Sequence, residues 1–178
     1  MFQLISTIVA VFLVAADQFV KNWAAETLIK GEITIIEDVL YLKYVENTGV
    51  AFSMFSDNRW VLVGATSLML IAVLAFFLSG KVNGKLEIFS LSLLLSGGVG
   101  NLIDRISLGY VIDYIDFRII NFAIFNLADI CICVGAFLLC VAVYYSDKKE
   151  KEEKQNKSNE FDKIDKDLEK IFGGENNE

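Results

Sequence analysis

The sequence predicts an all-α polytopic membrane protein: four transmembrane helices with a small extracytoplasmic β-rich cradle. Three observations predict it. The chain has 178 residues, of which 54% are hydrophobic, and a mean hydropathy of +0.49. That is too apolar for an ordinary soluble domain of this size. Four runs are long enough to cross a bilayer, which takes about 20 apolar residues. The segment between the first two runs is rich in β-branched and aromatic residues, a composition that favours strands.

The first run extends from Phe2 to about Phe19. Val14-Ala15-Ala16 resembles a leader cleavage site, but no basic side chain precedes it. The run is therefore expected to stay as a helix that presents Asp17 and Lys21. Residues 22–59 are too long for a turn. Within them, Ile33-Thr34-Ile35-Ile36 and Val39-Leu40-Tyr41-Leu42-Lys43-Tyr44-Val45 predict a hairpin or small sheet on the membrane surface. Gly49, just after Asn47-Thr48, marks a turn where backbone approaches a ligand closely. The apolar stretch Ala51-Phe52-Ser53-Met54-Phe55 is expected to dip into the interface.

The second run, Trp60 to Ser79, carries no charge, and the third spans about Leu86 to Ile103. The fourth spans about Ile119 to Tyr145. Residues 1–146 thus form the membrane domain, with 22–59 as its extracytoplasmic insertion. Residues 147–178 hold eight lysines and eleven carboxylates. They read as a solvated tail, disordered at its start, although Phe161, Ile164, Leu168, Ile171 and Phe172 fall on one helical face.

Orientation follows from basic residues close to the span ends. Lys81 and Lys85 sit in a very short connection, and Lys148, Lys149, Lys151 and Lys154 follow the fourth run. Both sets predict the cytoplasmic side, which places both termini there. Asp17, Asn101, Asp104, Asn126 and Asp129 then share one depth near the outer interface. About 24 Å of helix remains between Asp129 and Tyr145 at about 1.5 Å per residue.

Composition excludes much chemistry. No histidine occurs, so there is no Ser-His-Asp triad, no Cys-His pair and no His-ligated zinc. The net charge of −7 argues against nucleic acid as a partner. Cys131, Cys133 and Cys140 lie in one apolar run and read as packing or lipid-facing side chains rather than a disulfide framework. No cofactor or metal is expected.

What remains is carboxylates and asparagines. Carboxylates near a bilayer core are costly and usually face a protein interior or a water-filled cavity. Asn101, Asp104 and Arg105 share a face if helical, as do Asn126 and Asp129. Gly97, Gly98 and Gly100 read as close helix packing. Extended, Val111, Asp113, Ile115 and Phe117 share one face and Asp116 points to the other; periodicity alone does not choose between Asp113 and Asp116. Two carboxylates that share a proton can activate water against a carbonyl without histidine, thiol or cofactor.

Five motifs carry a resemblance: Asp17-Gln18-x-x-Lys21, Asn47-Thr48-Gly49-x-Ala51-Phe52-Ser53, Gly100-Asn101-x-x-Asp104-Arg105, Gly109-Tyr110-Val111-x-Asp113, and Phe125-Asn126-x-Ala128-Asp129. Together, and in this order, they resemble bacterial lipoprotein signal peptidase (signal peptidase II). The resemblance implies the four-helix frame with its cradle. It implies hydrolysis of prolipoprotein signal peptides before a diacylglyceryl-modified cysteine, an aspartyl dyad at Asp113 and Asp129, and inhibition by globomycin. By the same resemblance Asn47, Asn101, Arg105 and Asn126 orient substrate or support the dyad, Asp17 and Lys21 match a support pair, and Gly49, Asp104 and Ala128 complete the motifs. Family members commonly have proline where this chain has Ala123, which leaves the loop between Asp113 and Asp129 open. A proton-coupled carrier is the main alternative, but carriers favour the bilayer midplane and internal repeats, whereas these acids gather at one interface.

Overall fold

The computed structural model describes residues 1–49, 58–80, 82, 84–120 and 122–172. The stretch Ala51 to Phe55 and Lys81 lie outside the described residues, as do Ala51, Phe52 and Ser53 of the second motif. Two compact units divide the chain, Met1–Leu139 and Cys140–Glu178. Among the described residues, four helices are long and apolar enough to span a membrane.

Helix α1 runs Phe2–Thr27, well past the expected end at Phe19. It continues because Asp17 and Lys21, the polar pair that ends the apolar run, are both buried and satisfied inside the protein rather than turned to water. A short 3-10 turn, Leu28–Lys30, follows. Strands β1 (Ile33–Ile36) and β2 (Leu40–Asn47) form the expected hairpin. Its turn places Asp38 at φ 60°, a left-handed conformation that aspartate tolerates better than most residues.

Helix α2 covers Arg59–Leu78 and α3 covers Lys85–Ser107. Helix α3 is the central span: 56% of its apolar stretch is buried within the protein, against 11% for α1 and 17% for α2. Close packing explains its small residues. A Cβ on Gly97 would collide with the Ala128 carbonyl oxygen, and one on Gly100 would sit 2.6 Å from Asp17 Oδ2. Both contacts lie at the level of the polar residues described below, so α3 meets its neighbours there almost backbone to side chain.

Strand β3 (Val111–Phe117) pairs antiparallel with β2, which completes a sheet of order β1-β2-β3. Ile112 and Tyr114 pack with Ala24 and Leu28 at the end of α1. Side chains alternate along a strand, so this anchoring turns Asp113 away from α1's apolar end.

Helix α4 begins at Leu127, not at about Ile119 as expected, and runs to Phe172. The intervening chain folds back on β3. Ile115 N–H donates to Phe125 O at 2.8 Å, and Phe125 N–H donates to Ile115 O at 3.1 Å. Those backbone groups are committed to the sheet, so the helix cannot start before Asn126. This is also the path of the loop that Ala123 had left open. The expected disorder at the start of the tail gives way to continuous helix. Lysine and glutamate are good helix formers, and i,i+4 pairs such as Lys151–Asp147 at 2.7 Å support them.

Candidate active site

The site assembles at the junction of α1, α3, the β2–β3 pair and the first turn of α4. Lys21 lies at its base, 1% exposed. Its ammonium donates to Asp17 Oδ2 at 2.8 Å, Asp104 Oδ2 at 2.9 Å and Asn101 Oδ1 at 2.9 Å. An ammonium has three protons and these are three acceptors, so a fully buried lysine is completely satisfied.

Each carboxylate around Lys21 also ties down backbone. Asp17 Oδ1 accepts the Ala128 N–H at 3.0 Å, which fixes the first turn of α4 against α1. Asp104 Oδ2 accepts the Ile112 N–H at 3.2 Å and so locates β3. Gln18 donates to Asp104 Oδ1 at 2.9 Å and to the Gly100 carbonyl at 3.1 Å.

Asp129 and Asp113 lie above this base and are linked through one residue. Asn126 is the N-cap of α4, and its Oδ1 accepts the Asp129 N–H at 2.9 Å while Asp129 Oδ2 accepts the Asn126 N–H at 3.2 Å. That reciprocal pattern is a capping box, with asparagine and aspartate in place of the usual serine and glutamate. The same Asn126 donates from Nδ2 to Asp113 Oδ1 at 2.7 Å. Asn47 donates to Asp113 Oδ2 at 2.8 Å, and Asn101 donates to Asp129 Oδ1 at 2.8 Å. Among the described residues, every carboxyl oxygen of the pair therefore accepts one side-chain or backbone N–H.

Register explains how Asn47 reaches Asp113. Asn47 stands opposite Val111 in the β2–β3 ladder, which makes Asp113 its diagonal neighbour on the same face. Asp113 is 2% exposed. Burial pushes its carboxyl up to about 6, and the nearby Asp129 charge acts in the same direction. The amides of Asn47 and Asn126 and the charge of Lys21 pull against that rise.

Arg105 closes one side. Its Nη2 donates to the Gly49 carbonyl at 3.2 Å, and the Gly49 N–H in turn donates to Asn47 Oδ1 at 3.0 Å. Its Nε is buried and has no hydrogen-bond partner among the described residues. Asp116 takes no part in the site. It sits at the far end of β3 in an ion pair with Arg118 at 2.8 Å.

The structure thus brings Asp17, Lys21, Asn47, Gly49, Asn101, Asp104, Arg105, Asp113, Asn126, Ala128 and Asp129 into one connected network. The sequence reading did not single out Gln18 or Tyr114 as site residues. Tyr114 Oη accepts the Leu127 N–H at 3.2 Å and caps α4 from the sheet side. Gln18 was visible beside Asp17 in the first motif, whereas a capping tyrosine leaves no sequence signal.

The family model described as signal peptidase (SPase) II matches residues 9–145. The chain belongs to the signal peptidase II family. It is 39% identical over 145 residues to a lipoprotein signal peptidase of Clostridioides difficile (strain 630), covering 80% of this chain and 96% of that one. A lipoprotein signal peptidase of Nostoc sp. is 43% identical over 131 residues, covering 71% and 80%. A solved bacterial membrane enzyme, determined by the in meso method, superposes with a TM-score of 0.76 at 32% identity and covers 81% of this chain and 90% of its own. The chain is accordingly a multi-pass membrane peptidase by family, and the four-helix frame with its small sheet is the family's fold.

Proposed function

We propose that this protein is an aspartic endopeptidase that cleaves the signal peptide from prolipoproteins, N-terminal to the diacylglyceryl-modified cysteine, with Asp113 and Asp129 activating one water. The observation that carries the reading is Asn126, which bonds both carboxyls at once and so holds two acids from different elements in one polar pocket.

The chemistry needs one proton between the two acids. Asp113, pushed up to about 6 and surrounded by protein, is the one that retains it. Asp129 is assigned the other role, that of accepting the proton from water. Asp129 removes a proton from water as its oxygen bonds to the scissile carbonyl carbon, and Asp113 delivers its proton to the carbonyl oxygen. The resulting geminal diol collapses when Asp113 takes back a hydroxyl proton, Asp129 gives its proton to the amide nitrogen, and the C–N bond breaks. The pair ends in its starting protonation state. Arg105, whose guanidinium already holds the Gly49 carbonyl, is suited to hold a substrate carbonyl as well.

In the membrane this reading places the site at the extracytoplasmic face and both termini in the cytoplasm, as the basic flanks suggest. Membrane lipid surrounds the spans, and globomycin would compete with the prolipoprotein. The test is cleavage of a diacylglyceryl-modified propeptide by the purified chain. Turnover that persists in Asp113→Asn or Asp129→Asn protein would refute the dyad.

A further inference from the structure

One cavity adjoins the site and shares Asp129 with the network. It measures about 290 Å³ and is lined by Phe122, Phe125, Asp129, Ile130, Cys133 and Val134. Apart from the Asp129 carboxyl and the Cys133 thiol, its lining side chains are hydrocarbon. Phe122 and Phe125 form one wall as an edge-to-face pair, 5.7 Å between centroids at 82°. The other wall is one side of α4, where residues 129, 130, 133 and 134 fall together at helical spacing.

We infer that this cleft receives an acyl chain of the lipid-modified substrate cysteine, and that Val134, Cys133 and the Phe122–Phe125 pair set which chains fit. The inference rests on the peptidase reading above. Two features favour hydrocarbon over peptide as the occupant. A peptide laid in the cleft would leave most of its N–H and C=O groups without partners, because among the described lining residues the Asp129 carboxyl is the one strong hydrogen-bonding side chain. The cleft is also not closed: Ile130 (39% exposed), Val134 (43%) and Phe137 (68%) continue it as an exposed apolar stripe along α4. A chain that starts beside Asp129 can follow that stripe into the lipid. A side chain of the signal peptide has no need of such an exit.

The cleft selects by shape rather than by hydrophobicity. Lipid tails are as apolar as the cleft walls, so transfer from bilayer to cleft gains little from hydration. Obstruction is therefore the sensitive test. Val134→Trp protein, reconstituted as the full chain, would be assayed with a dipalmitoylglyceryl propeptide and with its diacetylglyceryl counterpart. The palmitoyl substrate should show a KM raised by about tenfold or more, with kcat within about twofold, and the acetyl substrate should be unaffected. Equal effects on both substrates, or no effect on either, would overturn the assignment.

A second measurement covers the case in which the tryptophan variant does not fold. In detergent, a small apolar maleimide that partitions into the micelle should modify the exposed Cys133 and Cys140 of the unaltered protein but not the buried Cys131. Asp129→Asn protein, loaded without turnover, should have Cys133 protected by the palmitoyl substrate and not by the acetyl one, with Cys140 unchanged. Protection of Cys133 by both substrates would mean that peptide fills the cleft; protection by neither would mean that it stays empty. Either outcome defeats the proposal. Absence of any cleavage by the unaltered chain would instead defeat the peptidase reading itself.

Discussion

Lys21 Nζ lies 2.9 Å from Asn101 Oδ1, and this contact decides which way Asn101 points. An ammonium can only donate, so the oxygen end of the amide must face it. The NH2 end is then left for Asp129 Oδ1, at 2.8 Å. Asn126 is set in the same way, because its oxygen is held by the Asp129 backbone N–H and its NH2 is left for Asp113. A buried lysine thus reaches the Asp113–Asp129 pair through an amide whose orientation it fixes.

Removing that ammonium should be severe. Lys21→Met strands Asp17 and Asp104 as buried carboxylates with too few donors, a loss of about 3–5 kcal/mol. Thermal unfolding in detergent should show it as a large fall in Tm. Adding Asp104→Asn to Lys21→Met should recover part of the fall, since one stranded charge is gone. A double variant no more stable than the single one would show that the charges were not the cause.

The two acids should differ in what else they do. Either Asp→Asn change should reduce turnover by about 10²–10⁴ or more, since each removes a proposed proton-transfer group. Asp129→Asn also leaves one amide oxygen to serve the Asn126 N–H and the Asn101 amide, which weakens the capping box at the start of α4, at a cost of about 1 kcal/mol. Asp113 lies outside any helix and carries no such duty. Circular dichroism melts of the two inactive proteins should therefore show the lower Tm for Asp129→Asn.

Activity should fall as pH rises through about 6, the point at which Asp113 loses the proton that the proposed mechanism assigns to it. The hydrogen bond from Asn47 favours the charged form of Asp113. Asn47→Ala should therefore move that alkaline limb to higher pH, and a shift to lower pH would contradict the geometry. Stability follows the same sign. Because folding raises this pKa from 3.8 to about 6, the contribution of Asp113 is fully present below 3.8 and disappears as pH rises through about 6. The dependence of Tm on pH across that window should be flatter in Asp113→Asn.

The α3–α4 contact gives a prediction that needs no chemistry. Gly97→Ala drives a methyl into the Ala128 carbonyl, where backbone must move, at a cost of about 1–3 kcal/mol. Gly64→Ala in α2 meets nothing within 4 Å and should leave Tm unchanged. Comparable losses for the two would mean that the helices do not cross as described.

Truncation after Asp147 should leave cleavage intact. The site lies wholly within Met1–Leu139, and each of its hydrogen bonds described above is made inside that unit. Loss of activity in the shortened chain, measured at equal amounts of folded protein, would give the tail a role that the site does not require.

Much of this was legible in the sequence because membrane and strand signals are strong. The uncharged run from Trp60 predicted α2 almost to the residue, and the β-branched clusters predicted the β1–β2 hairpin. The ends of α1 and α4 were misread for one shared reason. Hydropathy marks where apolar residues stop, whereas a helix stops where its hydrogen bonding stops. Buried and paired, Asp17 and Lys21 did not end α1. Apolar but committed to β3, Phe125 could not belong to α4. The candidate site residues were read as motifs, and the choice of Asp113 over Asp116 came from the family resemblance. In the structure Asn47 is diagonal to Asp113, and Arg118 holds Asp116.

The box that opens α4 has a practical consequence. One aspartate both begins a helix and is proposed to handle a proton, so fraying that single turn would disarm the enzyme while the remainder stayed intact. On gentle warming, catalysis should fade several degrees before the ellipticity does, and the protein's working range would be set by its most local cooperative unit rather than by global melting.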